Sequence, residues 1–436
     1  MNRASSQQNR SIHRVVLSNG MVVLVQENPA ADIVAARIFI RAGSRWETAQ
    51  EAGLSHLVSA VLTKGADHLS SLEIAEQVES LGASLGTDST TDYFLLSLKT
   101  VAADFEIILH LAGKLLRSPT FPESELDLER RLTVQAIRSQ QEQPFSVAYD
   151  QLRQVMYKDH PYALSGLGTE TVVAQLTRDD LCRYHQLHFR PDNIVVSICG
   201  NIRQAAAIAL IEKVFGDWQA PALALPTLTL PAVPSQPSQV TTPQETQQSV
   251  IMLGYLTPAV AATAPVLEEY AALKLVNSYL GNGLSSRLFV ELREKRGLAY
   301  DVSGFYPTRL DTAQFVVYIG TAPSNTLEAL HGLQTEVERL QTIHLEPEEL
   351  QAAKNKILGQ YALGKQTNAQ LAQLYGWYET LGLGIDFDQQ FQNQIQLVTG
   401  NLVQSVVSRY LMAPYLSAVG PTAALELLDY LPRAEI

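Results

Sequence analysis

Two long stretches of this chain carry the same order of predicted elements about 220 residues apart, and that repetition limits the available folds more than any single motif. In the first half, Asn19-Gly20 joins two β-rich runs, a strong hairpin signal. A strand over 33–40 follows, then helices over 53–64 and 70–81, the second with Ser71 as its cap. Strands are expected between 84 and 98, helices over 104–116, 123–141, 147–157 and 178–188, and a buried strand over 194–199. In the second half the order is strand 249–256, helices 267–280 and 286–295, strands 299–306 and 314–319, helix 327–341, and a long helix after Pro347. A Pro-Glu pair opens the long helix in both halves. Phe94 to Phe315 is 221 residues, Pro122 to Pro347 is 225 and Gly200 to Gly420 is 220. The expectation is an α+β protein of two tandem homologous domains, each a mainly antiparallel sheet covered by helices. Residues 11–219 form the first domain and 246–436 the second. Between them, 220–245 reads as a linker, because Pro221, Pro226, Pro231, Pro234, Pro237 and Pro243 crowd it.

Charge and cysteine usage narrow the function classes. A net charge of −12, from 32 Lys+Arg against 44 Asp+Glu, argues against nucleic-acid binding and leaves cationic peptides as partners. Residues 1–11 are polar with no apolar signal core, and no run approaches the ~18 apolar residues of a membrane span. A cytoplasmic protein with no membrane partner is expected. Cys182 and Cys199 make no disulfide framework.

The stretch 280–306, LGNGLSSRLFVELREKRGLAYDVSGFY, is expected to form a helix ended by Gly297 and then a strand. Arg293 on the helix and Tyr300 on the strand would thus be presented from two rigid elements toward one point. The plainer reading is a surface helix with a Glu291–Lys295 pair and a half-buried tyrosine.

Arg41-Ala42-Gly43-Ser44-Arg45-Trp46-Glu47, Gly53-Leu54-Ser55-His56-Leu57 and Lys64-Gly65, together with the duplicated layout, resemble the pitrilysin group of inverzincin metallopeptidases. The likeness is to the small two-domain members related to mitochondrial processing peptidase, and it spans nearly the whole chain. It implies a LuxS/processing-peptidase-like metallopeptidase fold. In that family H-x-x-E-H supplies two zinc-binding imidazoles one helical turn apart and a Glu that acts on the bound water. Here the five positions are His56, Leu57, Val58, Ser59 and Ala60, so Ser59 stands for the base and Ala60 for the second ligand. The family's third ligand, a Glu roughly 76 residues further on, falls on Ala136; the Glu seven residues before it is retained as Glu129. One imidazole makes no three-ligand site, and no metal is expected in this chain. The family's Gly-x-x-x-Asn-Ala substrate-edge motif is altered to Gly82-Ala83-Ser84-Leu85-Gly86-Thr87.

The resemblance also gives Arg293 and Tyr300 a role, since family members grip the substrate backbone beside the scissile bond with an Arg and a Tyr at this spacing. A chain without zinc ligands that keeps this pair resembles the zinc-less subunit of a heterodimeric endopeptidase for unstructured peptides. Zinc would then sit in a homologous partner with an intact His-x-x-Glu-His. A homodimer of the isolated chain is an allowed alternative state, and an inert scaffold or assembly subunit derived from a peptidase is the alternative function. An independent hydrolase with another nucleophile has no Ser-His or Cys-His constellation behind it. Cys182, His185 and His188 at i, i+3, i+6 read as a packed helix face more than a metal site. His160-Pro161-Tyr162 reads as packing, and Gly281-Asn282-Gly283 lacks the Lys and the spacing of a phosphate loop.

Overall fold

The computed structural model describes residues 12–429, and these divide into two compact units. The first comprises the residues up to Gln135, Gly166–Thr229 and Ala362–Ile385; the second comprises Ala136–Ser165, Leu230–Tyr361 and the residues from Asp386 on.

In the first unit the strands are β1 (His13–Val16), β2 (Val22–Glu27), β3 (Ile33–Ile40), a short ribbon of β4 (Gly65–Ala66) and β5 (Leu69–Ser70), β6 (Ser84–Ser89), β7 (Phe94–Val101) and β8 (Ile194–Gly200). The large sheet runs β1-β2-β8-β3-β7-β6, antiparallel except where β2 meets β8. The second unit holds β9 (Gln239–Pro243), β10 (Ser249–Thr257), β11 (Asp301–Phe305), β12 (Ala313–Thr321) and β13 (Tyr415–Gly420). Its sheet runs β11-β12-β10-β13-β9, antiparallel except where β13 meets β9. Read from β6 and from β11, the orders β6-β7-β3-β8-β2 and β11-β12-β10-β13-β9 are the same, with the parallel pair in the same place. The duplication read from the offsets is thus present at the level of strand pairing.

Period-2 alternation explains the central strands only in part. Most residues of β3, β10 and β12 are buried on both faces, because each face of these sheets carries side chains packed under helices. In the first unit the helix Asn368–Thr380 lies on β3 and β8, over a core of Leu24, Phe39, Leu95 and Val195. In the second unit the helix Pro144–Tyr157 lies on β10 and β13, with Leu152 and Met156 against Val250, Met252 and Tyr415.

This corrects the expected boundaries. The segment 362–385 belongs to the first unit and 136–165 to the second, so each unit takes one covering helix from the other half of the chain. An amphipathic pattern identifies an apolar face and carries no label for the sheet that will receive it. The expected linker is corrected too, because its last residues form β9, paired in parallel with β13. The helix at Ser71–Ser80 is capped by Ser70 rather than Ser71, in a capping box with Glu73. Among the described residues no helix is long and apolar enough to cross a membrane.

Candidate functional site

The helix Leu54–Leu62 carries the degenerate motif in the first unit. Its entry is held by a buried carboxylate: Glu47 accepts the backbone N–H of Gly53 at 2.9 Å and of Ser55 at 2.6 Å, satisfying donors that a helix N-terminus leaves unpaired. Gly53 turns the chain at φ 97°, where a Cβ would meet the Leu167 carbonyl oxygen at 2.6 Å. Burial pushes the Glu47 carboxyl up to about 7, against the two N–H bonds that favour its ionised form. An acid whose pKa is higher folded than unfolded binds more protons when folded, so its contribution is full below the unfolded pKa, 4.5, and falls as pH rises toward 7. In urea titrations the native chain should therefore lose stability relative to Glu47→Gln as pH rises from 4.5 to about 7, by on the order of 3 kcal/mol. Parallel stability profiles for the two proteins would rule this out.

One turn into the same helix, His56 is half-buried, and desolvation lowers its pKa while Glu129 and Asp88 oppose the shift. Ser59 is buried, and its carbonyl accepts the Thr87 hydroxyl of β6 at 2.7 Å. Ala60, a turn beyond His56, offers only a methyl group. Glu129, on the helix Glu123–Gln141, ion-pairs with Lys64 at 3.3 Å. Ala136, two turns further along that helix, is exposed. The donor set is thus one imidazole and one carboxylate already held by an ammonium group, which does not fit a zinc ion. Among the described residues no three His, Cys, Asp or Glu side chains gather where they could hold a metal.

The second unit carries Arg293 and Tyr300. Leu288, Leu292, Leu298 and Val302 are buried and pin this stretch to the unit. The expected α-helix differs in kind: Phe289–Lys295 is a π-helix, whose i→i+5 bonds insert an extra residue in the turn and shift the side chains that follow. Nothing in the local composition signals this, and it is the feature of the site that sequence reasoning missed. Gly297 ends the helix at φ 62°, as expected. Tyr300 joins the ladder through its N–H to the Gly320 carbonyl at 2.8 Å, with its side chain 60% exposed.

The charges of the stretch divide unequally. Arg287 pairs with Glu291 at 2.9 Å and Glu336 at 2.7 Å, Lys295 with Glu291 at 2.9 Å, and Arg296 with Glu328 at 3.0 Å. Arg293 is exposed and lies over the Phe289 ring at 5.0 Å. Neither its guanidinium nor the Tyr300 hydroxyl makes a hydrogen bond or ion pair with another described residue. The Glu291–Lys295 pair of the plainer reading is present, but it leaves Arg293 and Tyr300 unexplained. Chemically, the two are a planar cationic fork and a phenolic donor on rigid supports, suited to carbonyl and oxyanion oxygens.

Two family models match the chain: "Insulinase (Peptidase family M16)" over residues 22–170 and "Peptidase M16 inactive domain" over 175–357. The chain belongs to peptidase family M16. Among M16 relatives it is similar to an uncharacterized zinc protease of Bacillus subtilis, 28% identical over 85% of this chain and 90% of that one. It is 25% identical to an uncharacterized zinc protease of Mycobacterium leprae, over 95% and 93% of the two chains. In fold it resembles a peptidase M16 inactive domain from Pseudomonas fluorescens, with TM-score 0.85 and 24% identity over 94% of this chain and 98% of that one. A protease from Helicobacter pylori gives TM-score 0.87 and 20% identity over 94% and 100%.

Within this M16 chain the secondary candidates have structural roles. His185 uses Nε2 on the Leu116 carbonyl at 2.8 Å and stacks on Phe189. His188 lies 4.9 Å from Trp46 and 4.5 Å from Tyr184, ring to ring. Burial lowers both imidazoles to about 4, so they are neutral core groups. Cys182 and Cys199 are both free thiols. In the second unit, His160 accepts the Tyr162 N–H at 3.1 Å and packs among Tyr157 and Tyr162. Gly281 lets its helix approach β11, since a Cβ there would lie 2.1 Å from the Gly304 nitrogen. Gly281 therefore serves close packing of helix on strand.

Proposed function

We propose that this chain is the zinc-less subunit of a heterodimeric M16 endopeptidase that cleaves unstructured peptides. Arg293 and Tyr300 hold the substrate carbonyl, and the oxyanion that forms from it, at the zinc centre of a homologous partner carrying His-x-x-Glu-His. The observation that carries this reading is the contrast within one stretch: Arg287, Lys295 and Arg296 are paired internally, while Arg293 and Tyr300 face solvent without a protein partner. Two exposed donors on buried supports are ready for a ligand from outside this chain. The first unit supports the same division of labour, because its one remaining imidazole cannot replace the ligands lost at Ala60 and Ala136.

The experiment is reconstitution. The chain is purified alone and then with the His-x-x-Glu-His homologue recovered from its source by affinity capture, and each preparation is assayed on a quenched fluorogenic peptide. Alone, the chain should hold no stoichiometric zinc and leave the peptide intact; together, the pair should cleave it. Metal analysis showing about one tightly held zinc per isolated chain, lost on His56→Ala, would sink the proposal. A pair no more active than the zinc-bearing chain alone would favour the scaffold reading.

A further inference from the structure

A cavity opens on the covered face of the first unit's sheet. Period-2 alternation places Ala35, Arg37, Phe39 and Arg41 on one face, the face on which Phe39 packs against Tyr93 and Trp377. Arg37 is thus a cation on an apolar face, with Ser97 and Ser197 as its cross-strand neighbours. Arg41 has compensation there: it donates to the Thr380 carbonyl at 3.3 Å, and the Glu379 carboxylate supports its charge. Arg37 has no carboxylate. Its Nη1 donates to the Ala36 carbonyl at 3.1 Å and the Leu98 carbonyl at 3.3 Å, while Nε and Nη2 make no hydrogen bond to a described residue. Burial alone depresses its pKa, with no acidic group acting against the shift.

Arg37 is half-buried and neither Nε nor Nη2 is shut away from solvent, so water solvates this edge and a carboxylate entering from outside can displace that water. Arg37 also lines an open cavity of about 500 Å³ with Tyr93, Gln370, Gln373, Leu374 and Trp377. Two aromatic rings and a leucine form the apolar wall, and the lining contains no acid. The volume falls in the usual range for a small-molecule site. The Nε–Nη2 edge of an arginine is the edge that grips a carboxylate with two parallel hydrogen bonds.

We propose that this cavity binds a small organic carboxylate bearing an aromatic ring, its carboxylate on the free edge of Arg37 and its ring against Tyr93 and Trp377. The site is separate from the Arg293/Tyr300 stretch and does not rest on the peptidase reading.

The test is calorimetry on the full chain with phenylacetate, using phenylacetamide, acetate and inorganic phosphate as comparisons. Phenylacetate should bind at least about 10-fold more tightly than the isosteric neutral amide, and than acetate or phosphate, which lack the ring. Arg37→Gln should reduce phenylacetate affinity at least about 10-fold and bring it level with the amide, with the far-UV spectrum unchanged. If Arg37→Gln does not fold, Gln373→Trp, which fills the cavity from its rim, should abolish binding in its place. Equal binding of acid and amide, phosphate binding as tight as phenylacetate, or no binding of phenylacetate at millimolar concentration would each overturn the proposal.

Discussion

In the reconstituted heterodimer, Tyr300→Phe should lower kcat on the order of 10²-fold, about 3 kcal/mol, with the complex still assembled and its Tm nearly unchanged. The substitution removes one hydroxyl from a side chain that is 60% exposed and makes no hydrogen bond to a described residue, so little native stability is at stake. Arg293→Ala should cause a loss of similar size for the same reason, since its guanidinium has only the Phe289 ring beneath it. The two donors are proposed to act on one oxygen, so the double variant should lose less than the product of the single effects. A KM that rises with kcat unchanged would mean ground-state gripping instead of oxyanion stabilisation. Wild-type turnover in the pair carrying both substitutions would remove the catalytic role and leave the scaffold reading.

The largest expected stability effect lies in the helix exchanged between the two halves of the chain. Gly376 sits where the helix Asn368–Thr380 crosses the first unit's sheet, and a Cβ there would lie 2.3 Å from Phe39 Cε2 and 2.8 Å from Ser197 Cβ. Neither neighbour can retreat. Phe39 is fully buried, and β3 is paired on both sides, with β7 and β8. Gly376→Val should therefore cost about 3 kcal/mol or more, read as a lower urea midpoint with an unchanged slope. Gly376→Ala should cost less, because the gain in helix propensity of about 1 kcal/mol offsets part of the overlap. Phe39→Leu combined with Gly376→Val should recover part of the loss, since the two side chains compete for one volume. Additive costs in that double variant would place the strain elsewhere.

Much of the fold was legible because its signals are local. The Asn19-Gly20 turn, the strand at Ile33–Ile40 and the helices Glu123–Gln141 and Arg178–His188 appear where spacing and turn residues put them. The repeat at about 220 residues foretold two sheets of one strand order, because duplicated patterning dictates duplicated pairing. At the candidate site, what the sequence carries is which residues stand at the motif positions. The His56, Ser59, Ala60 and Ala136 positions and the seven-residue spacing of Arg293 and Tyr300 are properties of one dimension.

What the sequence determined by itself was therefore element order, the duplication, and which side chains are present or missing at the motif positions. Tertiary structure alone decided four things. Asn368–Thr380 and Pro144–Tyr157 cover sheets formed mainly by the opposite half, since burial rewards any apolar face that fits and carries no sequence address. Phe289–Lys295 winds as a π-helix with Leu288, Leu292 and Leu298 buried around it, a winding that no local propensity signals. Glu47 caps a helix six residues downstream, which its neighbours in sequence do not reveal. Arg37 keeps an unpaired edge in an aromatic-lined cavity, because whether a charge finds a partner depends on what other segments bring to its side.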